Sequence, residues 1–159
     1  MKKGLVGFFN QPRILRHVFN WYRPFRGAGI KVTHLADDFS SARVQMKLTW
    51  FNRNYVGVHF GGSLYAMIDP FYMLLIMNQL GSDFIVWDQA ARIEFVRPGA
   101  GTVSAHFQVG EEILNDIRSK TANGEKYLPT YEVDVVDENG VVVARAFKTI
   151  YIRRKKRTL

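Results

Sequence analysis

The segment from Leu64 to Leu80 constrains the fold more than any other. Spaced as a helix, it is apolar nearly all round, from Leu64, Met67, Ile68 and Phe71 to Tyr72, Leu74, Leu75 and Met77. A helix without a polar face must be wrapped by other structure. The same stretch contains Asp69, Pro70, Asn78 and Gln79, so it reads as a buried helix and no membrane span is expected. Pro70 removes a helical hydrogen bond to the carbonyl of Ala66 and disfavours helical geometry at Asp69, which predicts a bend there.

The rest of the chain supplies the wrapping. Ala42, Val44, Met46, Leu48 and Trp50 alternate with Arg43, Gln45, Lys47 and Thr49, the period of a half-buried antiparallel strand. Further strands are expected at 30–36, 86–97, 101–109, 129–137 and 141–152. The last is apolar on both parities and should lie centrally. Asp137-Glu138-Asn139-Gly140 is a hairpin turn. Residues 12–22, opening on Pro12, form an amphipathic helix that Arg23-Pro24 ends, and Glu111 to Lys120 form a short helical insert. The expectation is a single α+β domain over residues 1–159: an N-terminal helix at 12–22, a core at 29–152 with a six-stranded antiparallel curved sheet around a long central helix, and a basic tail at 153–159.

Composition narrows the function classes. A chain of 159 residues favours one domain, and 47% hydrophobic with 23% charged residues is ordinary for a globular protein. There is no cysteine, which excludes disulfides, thiolate metal sites and cysteine nucleophiles and is compatible with a reducing, cytoplasmic compartment. Of the net charge of +8, five positive charges form one run, Arg153 to Arg157, leaving +3 elsewhere. That is the pattern of a solvated terminus rather than a nucleic-acid face, so no nucleic acid is expected. The stretch Met1 to Phe9 is too short and too soon followed by polar residues for a signal peptide. His17, His34 and His106 show no ligand spacing, so no metal is implied.

The stretch Asn54-Tyr55-Val56-Gly57-Val58-His59-Phe60-Gly61-Gly62, with Asp69 seven positions after the second glycine, resembles the signature of hotdog-fold acyl-CoA thioesterases of the phenylacetate-pathway type. It is especially similar to a branch of uncharacterised thioesterase-like domains in that superfamily. Phe95-Val96-Arg97-Pro98-Gly99 resembles the family's strand end, and the likeness covers about residues 29–152. One family residue differs: Phe60 stands where the family usually has His, and His59 lies one place earlier.

The resemblance implies a hotdog fold and an acyl-CoA thioesterase-like hydrolase acting as a homodimer or homotetramer with sites between subunits. The substrate would be an acyl-CoA or acyl-carrier-protein thioester, with no cofactor beyond the coenzyme A of the substrate. Thioester hydrolysis needs donors aimed at the oxygen that gains charge, and the amides of Gly61 and Gly62 at a helix start would supply them. Glycine allows the thioester to approach the backbone closely. Asp69 would be general base or nucleophile, and Asn54 would orient the water or carbonyl. The catalytic set is therefore Asp69, Asn54 and Gly62; Gly57, His59, Phe60, Gly61, Tyr65 and Arg97 form the substrate-binding set. His59 is either a loop residue or a substrate-site residue. Arg92 and Lys148 are further candidates for coenzyme A phosphates, and the acyl chain would run along Tyr65, Met67, Phe71 or Tyr72. Phe60 favours one alternative, a non-catalytic acyl- or lipid-binding protein; a hotdog dehydratase or hydratase is a remoter one, and the missing His counts against it.

Overall fold

A computed structural model describes residues 11–156. The stretch Met1 to Phe9 and the end of the basic run from Arg157 lie outside the described residues. Twelve elements follow one another: α1 (Pro12–Trp21), α2 (Arg23–Ala28), β1 (Ile30–Leu35), β2 (Ser41–Lys47), α3 (Gly61–Ala66), α4 (Phe71–Leu80), β3 (Phe84–Phe95), β4 (Thr102–Gln108), α5 (Glu111–Lys120), β5 (Lys126–Tyr127), β6 (Thr130–Val136) and β7 (Val142–Arg154).

The strands form one antiparallel sheet in the order β1-β2-β4-β6-β7-β3. The path holds the six strands expected. The seventh, β5, pairs with Arg153 and Ile152 of β7 on the side where β6 pairs further along. Pro129 separates the two pieces because it has no N–H to give the ladder; its carbonyl still accepts from Ile150 N at 3.0 Å. At the other end, Arg153 and Arg154 belong to β7 rather than to a tail, opposite Ile85 and Phe84. Lys155 donates its amide to Asp83 O at 2.8 Å and its ammonium to Ser82 O at 2.6 Å. β7 lies inside the sheet between β6 and β3, next to the edge rather than at the centre expected from its composition.

The apolar segment packs across the sheet. Phe71, Leu75 and Ile76 are fully buried, as are the facing Ala146, Ile150 and Ile152 of β7 and Val44 and Met46 of β2. Pro70 does more than bend this segment. Residues 67–70 form a turn, with Met67 and Pro70 still in the right-handed helical region, so the long central helix expected from the sequence is present but interrupted between α3 and α4 at Asp69-Pro70. Likewise Arg23-Pro24 ends α1 but starts α2, where proline sits without penalty in the first turn.

β2 stops at Lys47, short of the alternating run, and Trp50 is 70% exposed. The buried side chain of Asn52 causes this. Its oxygen accepts from Thr49 N at 2.7 Å, and its amide donates to Ala28 O and Lys47 O, both at 2.9 Å. These bonds fold the chain back before the strand can continue.

The two sheet edges differ. Asn20 of α1 donates to Val32 O at 3.1 Å and accepts from Val32 N at 2.8 Å, imitating a neighbouring strand along β1. β3 is twelve residues long, and no described residue pairs with its outer side. A long bare edge is a template for pairing with another chain.

Candidate functional site

The loop between β2 and α3 organises itself around Asn54. Its side-chain oxygen accepts from the amides of Val56 at 3.1 Å and Val58 at 3.2 Å, and its amide group donates to His59 O at 3.5 Å. Gly57 completes the turn with φ 89°, donating to Asn54 O at 3.0 Å. Asn54 thus shapes the loop with the same groups that would orient a water.

His59 ties this loop to the one after β3. Its backbone N–H donates to Gly99 O at 3.0 Å, and Nε2 lies 3.1 Å from Gly101 O. A carbonyl can only accept, so Nε2 carries the proton. Nδ1 is left as an acceptor with no partner among the described residues. The ring is 2% exposed, and burial pulls its pKa below the usual histidine value, with the Gly101 contact opposing. His59 is therefore a neutral wall residue.

Between the two loops lies a cleft of about 600 Å³, bordered by Asn54, His59, Phe60, Gly61, Leu64 and the run Phe95 to Gly99. Its rim is aromatic: Phe60 is 56% and Phe95 58% exposed. Both rings lie on the glycines that open α3. A methyl on Gly61 would stand 2.8 Å from Phe95 Cζ, and one on Gly62 would run into the Phe60 ring. Ser63 N and Leu64 N donate to Phe60 O, whereas the amides of Gly61 and Gly62 have no acceptor among the described residues. Such free N–H groups are what an electron-rich oxygen binds.

Asp69 lies elsewhere. It follows Gly61 by eight residues, roughly 12 Å at helical rise, beyond the end of α3. There its Oδ1 receives two donors, the Lys148 ammonium at 2.8 Å and the Tyr65 hydroxyl at 2.9 Å. Oδ2 has no partner among the described residues. Lys148 also meets Asp88 Oδ1 at 3.0 Å, and its side chain is only 1% exposed, against 47% for Asp69 and 25% for Asp88. Burial alone would pull the Lys148 ammonium down in pKa, but Asp69 and Asp88 outweigh it, and the net direction is upward. Burial lifts the Asp88 carboxyl above the usual aspartate range against the opposing charge of Lys148. The Tyr65 hydroxyl is raised too, first by burial and then by its bond to Asp69.

Of the residues singled out in sequence, Asn54, His59, Phe60, Gly61 and Arg97 share the cleft. Gly57 and Gly62 adjoin it through the same loop and helix start. Asp69 and Tyr65 form a separate group at the other end of α3. Met67 and Phe71 are fully buried, Phe71 stacking on Phe107 at 5.0 Å, and Tyr72 donates to Glu132 O at 2.8 Å. These three are core residues rather than an acyl channel. Arg92 lies over the Phe147 ring at 4.3 Å. Lys148 does not reach outward for a phosphate, as it points under the central helices. Sequence reasoning missed that Lys148 pairs with both Asp69 and Asp88. Part of the signal was present: Lys148 falls on the inward parity of Ala144, Ala146, Ile150 and Ile152, and Tyr65 and Asp69 are four apart. Among the described residues no cluster of three or more His, Asp or Glu could hold a metal, and no helix is long and apolar enough to cross a membrane.

A curved antiparallel sheet closed over a central helical segment, with glycines at the head of that segment, is the hotdog fold, and solved structures bear this out. A Pseudomonas aeruginosa protein of unknown function, described as a probable thioesterase, is 20% identical with a TM-score of 0.79 over 90% of this chain and 95% of its own. A Haemophilus influenzae thioesterase is 14% identical at 0.65, over 90% of each chain. The PaaI protein of the E. coli phenylacetic acid degradation operon is 18% identical at 0.61, over 92% of this chain and 94% of its own. At these identities the likeness shows the fold, the one expected from the resemblance to hotdog thioesterases.

The chain belongs to the family described as domain of unknown function DUF4442, whose pattern matches residues 12–152. A search of curated proteins found no match.

Proposed function

We propose that the protein is an acyl-thioester hydrolase of the hotdog class, with Asp69 as general base or nucleophile. The observation that carries this reading is the state of Asp69. One carboxylate oxygen is held by Lys148 and Tyr65, and the other is free on a half-exposed side chain. In the general-base form, Oδ2 takes a proton from water while the water oxygen adds to the thioester carbonyl carbon. The carbonyl oxygen gains the charge, which the free amides of Gly61 and Gly62 would stabilise. On collapse the C–S bond breaks, and the thiolate leaves with the proton. The cleft walls of Phe60, Leu64 and Phe95 suit an aliphatic or aryl acyl group, and Arg97 is the cation nearest to hand for coenzyme A phosphates.

Gly61 and Asp69 are too far apart along α3 to act on one carbonyl within one chain. The reading therefore requires a second copy, and the bare edge of β3 is where it would pair. The protein is on this view a homodimer, or a homotetramer built as a dimer of dimers, that works in the cytoplasm on acyl-CoA or acyl-carrier-protein thioesters without a cofactor.

Thiol release from a panel of acyl-CoAs tests the proposal. At least one should turn over, and Asp69→Ala should lower kcat by about a hundredfold or more. No release from any thioester, or full activity in Asp69→Ala, would sink the hydrolase.

A second reading, non-catalytic acyl binding, is favoured by Phe60, which stands in place of the family's His with its ring against Gly62. Native mass spectrometry separates the two, since a binder retains intact acyl-CoA that a hydrolase would cleave.

A further inference from the structure

We infer that Lys148, backed by Asp88, is a positioning residue that fixes Asp69 for turnover; the inference rests on the hydrolase reading and deepens it. Lysine is rarely buried unless it is paired, and this one sits on the inward face of β7 among alanines and isoleucines. It is not part of an isolated structural pair. Its ammonium reaches Asp69 Oδ1 at 2.8 Å, Asp88 Oδ1 at 3.0 Å and the Tyr65 hydroxyl at 3.4 Å, each from a different element or turn of the chain. Two carboxylates on one lysine exceed what neutrality needs.

The geometry assigns the two carboxylates different tasks. Asp69, the more exposed, has Oδ1 held from below by two donors, which fixes its rotamer and leaves Oδ2 toward solvent. Asp88 lies deeper, on β3 opposite inward-facing Ile150, at a bulge between Asp88 and Ala90. A bulge of this kind re-aims a side chain. When Asp69 takes a proton or forms a bond to the acyl carbon, its charge is neutralised. Lys148 would then be a buried ammonium without a counter-charge, a strongly unfavourable state in a medium that solvates charge poorly. Asp88 keeps it paired throughout. The charge of Asp69 can therefore change during turnover while the ammonium beneath it stays in place. The titratable groups facing Asp69 are Tyr65 on α3, Lys148 on β7 and, through Lys148, Asp88 on β3.

The test compares wild type with Lys148→Met, Lys148→Arg and Asp88→Asn in the full-length protein. For Lys148→Met, kcat should fall by about ten- to a hundredfold, since a misplaced group costs about that much. KM should hardly change. Lys148→Arg should restore part of the loss. The rotamer of Asp69 from side-chain couplings in NMR is a readout that needs no turnover. It should be single in wild type and averaged in Lys148→Met. Unchanged kcat, or a single Asp69 rotamer in Lys148→Met, overturns the inference. If that variant does not fold, Asp88→Asn decides, with about a tenfold loss of kcat expected and a wild-type rate overturning it. Wild type that cleaves no thioester refutes the hydrolase instead, and the rotamer measurement still decides whether Lys148 positions Asp69.

Discussion

The two carboxylates on Lys148 make a prediction about stability that needs no knowledge of substrate. Either Asp69 or Asp88 alone can neutralise the ammonium, so losing one is tolerable and losing both is not. Asp69→Asn removes a half-exposed partner that solvent already screens, and should cost about 1 kcal/mol. Asp88→Asn should cost about 1–2 kcal/mol, because a partly buried ion-pair partner at 3.0 Å is lost while Asp69 remains at 2.8 Å. The double variant strands an ammonium whose side chain is 1% exposed, and breaking a buried pair in this way costs about 3–5 kcal/mol. The excess over the sum of the single changes should thus be about 1–2 kcal/mol, within the range for residues sharing one network. Urea unfolding at one fixed protein concentration measures all four forms. The double variant should melt about 10 °C below wild type, taking about 2–4 °C per kcal/mol for a chain of this size. The pH dependence has a definite sign. In wild type the Lys148 pKa is raised above 10.5, so its contribution is full below 10.5 and is lost as pH rises through the folded value. With both carboxylates gone, burial alone acts and depresses that pKa, so the double variant should gain stability as pH rises toward 10.5. Additive single losses, or a double variant no less stable than Asp88→Asn, would refute the shared counter-ion.

Other outcomes test the frame around the site. Asn52→Ala removes a 5% exposed side chain that makes three hydrogen bonds of 2.7–2.9 Å to backbone groups of three residues. It should lower stability by about 2–4 kcal/mol in denaturant melts. His59→Gln bears on the acid response. His59 has a pKa lowered from 6.5 by burial, so it contributes stability above 6.5 that is lost as pH falls through the folded value. Wild type should therefore lose melting temperature below pH 6.5 more steeply than His59→Gln, and parallel curves would remove His59 as the cause.

Much of the fold was legible because it follows from local periodicity. The run Ala42 to Met46 shows its strand by alternation, Glu111 to Lys120 shows its helix, and the apolar segment after Gly62 demands a sheet around it. Asp137 to Gly140 forms the expected turn, with Asp137 Oδ1 accepting from Asn139 N and Val141 N, both at 2.9 Å. Boundaries were less legible where a single side chain acts at a distance. Asn52 truncates β2 by bonding to Ala28, and nothing within 48–52 announces that. The cleft was readable as a set of neighbours, since Asn54, His59, Phe60 and Gly61 lie within eight residues of one another. Arg97 joined it through the family likeness rather than through any local pattern.

The sequence by itself determined that a nearly featureless apolar helical segment must be enclosed, that it begins at paired glycines, and that it carries one acid beside a proline. These are properties of short windows, set by backbone sterics and hydrophobic period. Only the tertiary structure decided what that acid touches. Lys148 lies 79 residues from Asp69 along the chain, and Asp88 reaches it from the outermost strand. Their meeting depends on the order in which strands pair and on one bulge in β3. No local pattern encodes those, because strand order is settled by packing of the whole sheet over the helices. The same structure separates the free amides of Gly61 and Gly62 from Asp69 and leaves the edge of β3 open, so the proposed chemistry depends on a second copy of the chain.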